Sequence, residues 1–287
     1  MLNKINVQES YYSWWKNIDK TILILILSFF IAGLFFSLAS TSLIASDRLS
    51  TNSYYFFIKH LAFILIGLFI MFIFSLIKEN YLIKISIALF ILSFILLMLV
   101  PFVGAEVKGS KRWLDLPMLP RFQPVELIKP FYIVILASLL NYQKYNLYIK
   151  YLLTLFLIIP IILLLISQPD MGQSILIIIS WLCLIFVSGI NLIVFFGLFG
   201  IFVSILSYLI FFVEKFNYIK IRILSFFDIS SKNNFQSEKA SEAIIDGGFF
   251  GKGIGEGTLN SKIPEAHTDY IVSVISEEFG IIVILLI

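Results

Sequence analysis

The residues able to do chemistry gather in one polar stretch of an otherwise oily chain. Gln236–Gly280 reads QSEKASEAIIDGGFFGKGIGEGTLNSKIPEAHTDYIVSVISEEFG. It holds six glycines between Gly247 and Gly257, then Pro264, Glu265, His267 and Asp269, then the adjacent Glu277 and Glu278. Desolvating an ionisable group beside a membrane span costs several kcal/mol, so such groups mark a use. The stretch therefore reads as a catalytic or substrate-gripping loop at a membrane surface, with Asp269 as its working residue. A carboxylate at the membrane rim is suited to act as a general base, a role that contributes about 10²–10⁴-fold in rate. Thr268 or Asp269 equally serves as the N-cap of a helix starting near Tyr270.

The glycine cluster GGFFGKGIGEG fails both nucleotide fingerprints. Lys252 is followed by Gly253 rather than Ser or Thr, and GxGxxG would require glycine at Glu256 or Thr258. Two readings stay open: a flexible re-entrant or surface loop, and a backbone at Gly247, Gly248, Gly251, Gly253 and Gly255 packed too closely on a ligand for side chains. A second polar region, Gly104–Phe122, carries Lys108, Lys111, Arg112 and Arg121, with Trp113 placed as an interfacial anchor. These cations either hold lipid phosphate or grip a diphosphate lipid, since guanidinium matches phosphate geometry. Glu126 and Lys129 stand at i and i+3 and share a helix face. They form either a structural pair or the charged floor of a pocket. Asp170, in QPDMGQS, either caps the next helix or lines a polar site. At least one of Glu277 and Glu278 is expected to face the protein interior or a wet cavity. His60, His267 and the lone Cys183 lack metal-ligand company.

The elements that must position these residues are membrane helices. The chain is 60% hydrophobic and 14% charged, with 30 Phe and a mean hydropathy of +0.99. Soluble domains carry about 25% charged residues, so this is an integral membrane protein. A net charge of +3 without a basic stripe argues against a nucleic-acid partner. Runs near the roughly 20 residues needed to cross a bilayer fall at 21–45, 54–77, 82–103, 124–141, 148–167, 174–188, 192–213 and 270–287. A long loop, 214–268, separates spans seven and eight. The run after Lys20 is too long for a signal peptide and reads as a first span. The eighth has barely begun at Ile287, and further spans are expected to follow. Lys4, Lys16 and Lys20 before span one put the N-terminus in the cytoplasm. Alternation then sends the Arg112 loop, the Asp170 turn and the long loop outside. Basic outer loops suit an anionic substrate.

Three pieces occur in order: KGSKRWLDLP…RFQPVELIK (Lys108–Lys129), QPDMGQS (Gln168–Ser174) and Q…EAIIDGGFFGKGIGEG…PEAHTDYIVSVISEEFG (Gln236–Gly280). Together they resemble the SEDS family of shape, elongation, division and sporulation proteins, and its division branch more than its elongation branch. The chain differs mildly from the family's wording in QPVE at Gln123–Glu126, in HTDY at His267–Tyr270 and in Phe235 before Gln236. The resemblance implies an all-α polytopic membrane protein, a SEDS-type bundle of ten spans of which this chain covers about seven and the start of an eighth. It implies polymerisation of lipid II into peptidoglycan glycan strands at the septum of the bacterial cytoplasmic (inner) membrane, with the active loops on the periplasmic side. Its partners would be a class B penicillin-binding protein and other division membrane proteins.

Carried over by position, the resemblance makes Asp269 the general base. Lys111, Arg112 and Lys252 would stabilise undecaprenyl diphosphate as it leaves, and Glu126, Lys129, Asp170, Gln236 and His267 would contact substrate. No cofactor is required and no dedicated metal cage is seen, although the chemistry admits Mg or Mn. Two rival readings use the same residues: a flippase moving lipid II past Glu126 and Lys129, and a non-enzymatic scaffold for division proteins.

Overall fold

The computed structural model describes residues 12, 14–49, 54–107, 110–116, 120–227, 235–259 and 270–287. Among the described residues six helices are long and apolar enough to cross a membrane, and a seventh, Met171–Val187, is apolar but shorter. In a bilayer every backbone polar group must be satisfied internally, so uninterrupted apolar runs become helices. The chain forms two compact units, one from residues 1–76 with 225–287 and one from residues 77–224.

The central unit begins with α3 (Glu79–Val103), numbered after the two helices of the other unit. It continues through a hairpin, β1 (Ala105–Val107) and β2 (Ser110–Trp113), to α4 (Pro124–Asn141), α5 (Leu147–Ser167), α6 (Met171–Val187) and α7 (Leu192–Phe212). A 3-10 turn, Glu214–Phe216, leads into α8 (Asn217–Phe227). Its core joins Leu97 of α3, Ile128 and Leu136 of α4, Ile161 of α5, and Ile177 and Trp181 of α6. The Tyr132 hydroxyl, buried in that core, donates to the Ile177 carbonyl at 3.0 Å. Lys150 is also buried, and its ammonium donates to the Leu140 carbonyl at 2.8 Å. A cation suits that place, because the last carbonyls of α4 carry the negative end of the helix dipole. Helix α7 buries none of its residues.

The polar region Gly104–Phe122, read from the sequence as an amphiphilic loop, contains a two-stranded hairpin. The strands pair antiparallel, with Glu106 opposite Lys111 and Val107 opposite Ser110, and Leu114 bridges to Phe122. Such pairing joins residues apart in sequence, which a short amphiphilic stretch does not announce.

The other unit holds α1 (Lys20–Leu49), α2 (Tyr55–Ser75), α9 (Phe235–Gly247), α10 (Ile271–Phe279) and α11 (Ile281–Leu286). Asp19 caps α1, accepting from the amides of Thr21 at 2.9 Å and Ile22 at 3.1 Å. The Trp14 indole donates to Ser75 at 3.0 Å, so the start of α1 meets the end of α2. Phe279 of α10 packs edge-on against Phe36 of α1, with ring centroids 5.4 Å apart.

Three boundaries differ from the hydropathy reading. Helix α1 runs on to Leu49, past the apolar run expected to end at 45, because backbone hydrogen bonds propagate past the end of an apolar run. The stretch 214–268 is not one loop, since α8 and α9 lie within it. The stretch 270–287 is two helices, divided at Gly280, whose φ of 82° and ψ of 169° interrupt the helical ladder.

Candidate functional site

In the central unit the charged residues converge on the turn between α5 and α6. Arg112, on β2, donates through Nη2 to the Pro169 carbonyl at 2.6 Å and through Nε to the Gln168 carbonyl at 3.4 Å. Its Nη1 stands 3.8 Å from Asp170 Oδ1. From the other side Lys215 donates to the Ser167 carbonyl and the Tyr218 hydroxyl donates to the Pro169 carbonyl, both at 2.8 Å. A helix C-terminus leaves its last carbonyls without intrahelical donors and carries partial negative charge. Two cations and a phenol answer those needs here. Gln168 is itself buried and donates to the Leu97 carbonyl at 3.3 Å.

Asp170 is buried and forms the N-cap of α6, accepting from the Gln173 amide at a long 3.5 Å. The Gln173 side chain reaches α4, where its amide donates to Glu126 Oε1 at 2.8 Å. Glu126 Oε2 is 2.6 Å from the Lys129 ammonium. Gln173 thus joins the Glu126–Lys129 pair to the Asp170 turn. Both oxygens of the half-exposed Glu126 are engaged, so the pair acts as one unit. Lys111 lies exposed on the hairpin beside Arg112.

In the other unit the glycines close on the chain itself. A Cβ at Gly247 would strike the Ser276 carbonyl, one at Gly251 the Glu278 carbonyl, and one at Gly280 the Phe249 carbonyl. The backbones are stitched together: the Lys252 amide donates to the Glu277 carbonyl at 2.9 Å, and the Gly253 amide to the Glu278 carbonyl at 3.1 Å. The close approach at Gly247 and Gly251 is therefore to α10. Gly248, Gly253 and Gly255 take positive φ, which shapes the turn. Lys252 pairs with Asp246. Glu277 and Glu278 are both buried, as the membrane argument required of at least one. Glu277 Oε1 accepts two consecutive backbone amides, Thr258 at 2.7 Å and Leu259 at 2.9 Å.

His267 and Asp269 lie outside the described residues, and Gln236 falls in α9 with its side chain likewise outside them. The sequence reading missed Gln173, Lys215 and Tyr218 as partners, and it missed the use of Glu277. Only the QPDMGQS wording and the paired carboxylates signalled any of them. Among the described residues no three His, Cys, Asp or Glu side chains gather as metal ligands.

A family model for FtsW, RodA and SpoVE, described as a cell cycle protein, matches residues 19–287. A Coxiella burnetii protein named "Probable peptidoglycan glycosyltransferase FtsW" is 32% identical over 98% of this chain and 75% of its own length. A Caulobacter vibrioides protein of the same name is 28% identical over 94% of this chain and 68% of its own. The chain spans between 62% and 75% of the lengths of such relatives. Among solved structures, a peptidoglycan synthase complex described as coordinating polymerization and crosslinking matches with a TM-score of 0.71 at 23% identity, over 94% of this chain and 73% of that one. A mutant of the rod shape determining protein RodA from Thermus thermophilus matches with a TM-score of 0.61 at 22% identity, over 94% of this chain and 70% of that one. The chain is a multi-pass membrane protein that belongs to the FtsW, RodA and SpoVE family of cell cycle proteins, the SEDS family, and is of the FtsW type.

Proposed function

We propose that this protein is a peptidoglycan glycosyltransferase that polymerises lipid II at the division septum. The observation that carries the reading is the match of the family over residues 19–287, with FtsW relatives named for that activity. Asp269 takes the proton from the 4-hydroxyl of the acceptor sugar. The freed oxygen forms a bond to the anomeric carbon of the donor. The donor's bond to undecaprenyl diphosphate breaks, and the diphosphate leaves with the electron pair. Cations that meet this developing charge lower the barrier. Lys111, exposed on the hairpin, meets the diphosphate in this reading. Arg112 shares its charge between that task and the Gln168 and Pro169 carbonyls it already holds. The Glu126–Lys129–Gln173 group supplies a charged surface for the sugar or its peptide. The reaction runs on the outer face of the cytoplasmic membrane, beside a class B penicillin-binding protein that crosslinks the product. The solved complex that couples polymerization to crosslinking supports that pairing.

The test is polymerisation of labelled lipid II in liposomes with a class B penicillin-binding protein, comparing wild type with Asp269→Asn in the presence of moenomycin. Glycan ladders from the wild type and none from the variant are expected. Equal ladders from both would remove Asp269 as the base. Ladders from neither, with lipid II carried across vesicle membranes, would replace the polymerase with a transporter.

A further inference from the structure

Asp170 and Gln173 stand three residues apart at the start of α6, the spacing of a capping box. In that box the N-cap side chain accepts from the amide three residues on, and the side chain there reaches back to the N-cap amide. Only the first half forms. Asp170 Oδ1 accepts from the Gln173 amide, but the Asp170 amide donates to the Leu165 carbonyl at 2.9 Å. The Gln173 side chain is released and crosses to α4, where it meets Glu126. Glu126 is likewise the third residue of its helix, and α4 carries no side-chain cap. The residues that would cap two neighbouring helices therefore bond each other instead.

The two ends of the Gln173 amide are not equivalent. Its Oε1 is buried, and among the described residues no donor reaches it. A buried acceptor without a donor is costly and calls for an explanation. The explanation lies at the other end. There Nε2 donates at 2.8 Å to a carboxylate, a charge-assisted bond about twice as strong as a neutral one. Turning the amide over would set its oxygen against Glu126 Oε1. Glu126 Oε2 meanwhile holds the Lys129 ammonium at 2.6 Å. A neutral donor secures one oxygen and leaves the charge of the carboxylate to Lys129.

We infer that Gln173 is a positioning residue: its amide fixes the Glu126 carboxylate, and through it Lys129, against the Asp170 turn. The inference rests on the reading of the Glu126–Lys129 pair as a surface for the sugar or its peptide. The Glu126 side chain is half-exposed, so a single partner on its own helix leaves it room to move. An ion pair of that kind gives little rigidity, because ordering two long side chains costs rotamer entropy. A bond from a second helix supplies the missing anchor. A group already in place binds its ligand more tightly than one that must be ordered on contact.

The experiment uses the full chain in liposomes with a class B penicillin-binding protein. Kd for labelled lipid II, taken from the binding phase that precedes turnover, is read beside kcat and KM. The proteins are wild type, Gln173→Met, Gln173→Glu, Glu126→Ala, and the double variants that join Glu126→Ala to each Gln173 change. Met keeps the length of the side chain and removes the donor. Glu would complete the capping box as well as Gln does, but it offers no donor and sets a second negative charge against Glu126. Each single Gln173 change is expected to raise Kd and KM roughly tenfold, the loss of a charge-assisted bond, with kcat within about threefold of wild type. With Glu126→Ala in place the same changes are expected to move Kd by less than about twofold, because the residue they act through is gone. If Gln173→Met does not fold, Gln173→Glu carries the comparison. A wild-type Kd in Gln173→Glu would make Gln173 a cap of α6 and overturn the inference. Effects that add fully to those of Glu126→Ala would overturn it too. A wild-type Kd in Glu126→Ala would instead overturn the reading of the pair as a substrate surface. Absence of glycan ladders from every protein, wild type included, would strike the polymerase reading alone, since Kd judges Gln173 without turnover.

Discussion

Two regions of the molecule use charge to hold backbone, with opposite signs. At the end of α5, Arg112, Lys215 and Tyr218 donate to the carbonyls of Ser167, Gln168 and Pro169. Beside α10, Glu277 accepts from the amides of Thr258 and Leu259. The first cluster is half-open, with the Arg112 side chain 30% exposed. In the second the Glu277 side chain is buried, although Thr258 is exposed and Leu259 half-buried. Water reaches the half-open Arg112 more readily than the buried Glu277 carboxylate. The cationic clamp is therefore expected to tolerate substitution and leave charge for a ligand, whereas the anionic staple is expected to be strict.

The comparison is sharpest at the glycines that let the staple close. Gly251→Ala puts a methyl group on the Glu278 carbonyl at a φ of +76°. A loss of about 3 kcal/mol or more is expected, read as a lowered unfolding midpoint in detergent. Gly200→Ala, in α7 with nothing near its Cβ, is the control and is expected to stabilise slightly, by under about 1 kcal/mol. Glu277→Ala comes next, at about 2–3 kcal/mol, because the Thr258 and Leu259 amides lose a charged acceptor.

Arg112→Ala should cost about 1–2 kcal/mol, and Arg112→Lys should recover part of it, since one ammonium can serve one carbonyl but not the fork. An Arg112→Ala loss equal to that of Glu277→Ala would erase the distinction between the half-open cation and the buried carboxylate. The smallest effect is expected from Glu126→Gln, whose half-exposed ion pair contributes about 0.5 kcal/mol at most. A large fall in lipid II polymerisation with stability kept would then assign the pair to substrate. A fall in both would make it structural.

Much of this is legible in the sequence. The Glu126–Lys129 pair follows from i,i+3 spacing and is present at 2.6 Å. The capping alternative for Asp170 follows from its place before an apolar helix, and the cap is formed, weakly. The clamp on α5 was not legible, because its partners lie 48 to 57 residues apart in sequence. Nor was the task of the glycines. Their number announced close approach, but the surface approached, the backbone from Ser276 to Glu278, belongs to a helix some 25–30 residues downstream.

Apolar runs of bilayer length settle the helical, membrane-spanning class unaided, because hydrocarbon leaves the backbone no alternative to hydrogen bonds within its own segment. Local spacing likewise settles caps and same-face pairs, since one turn of helix brings those residues together. Which carbonyl a guanidinium holds, which amides a buried carboxylate gathers, and where Gly280 breaks the last helical stretch are matters of packing. They depend on elements meeting across the fold, where each donor and acceptor takes the partner that burial leaves within reach.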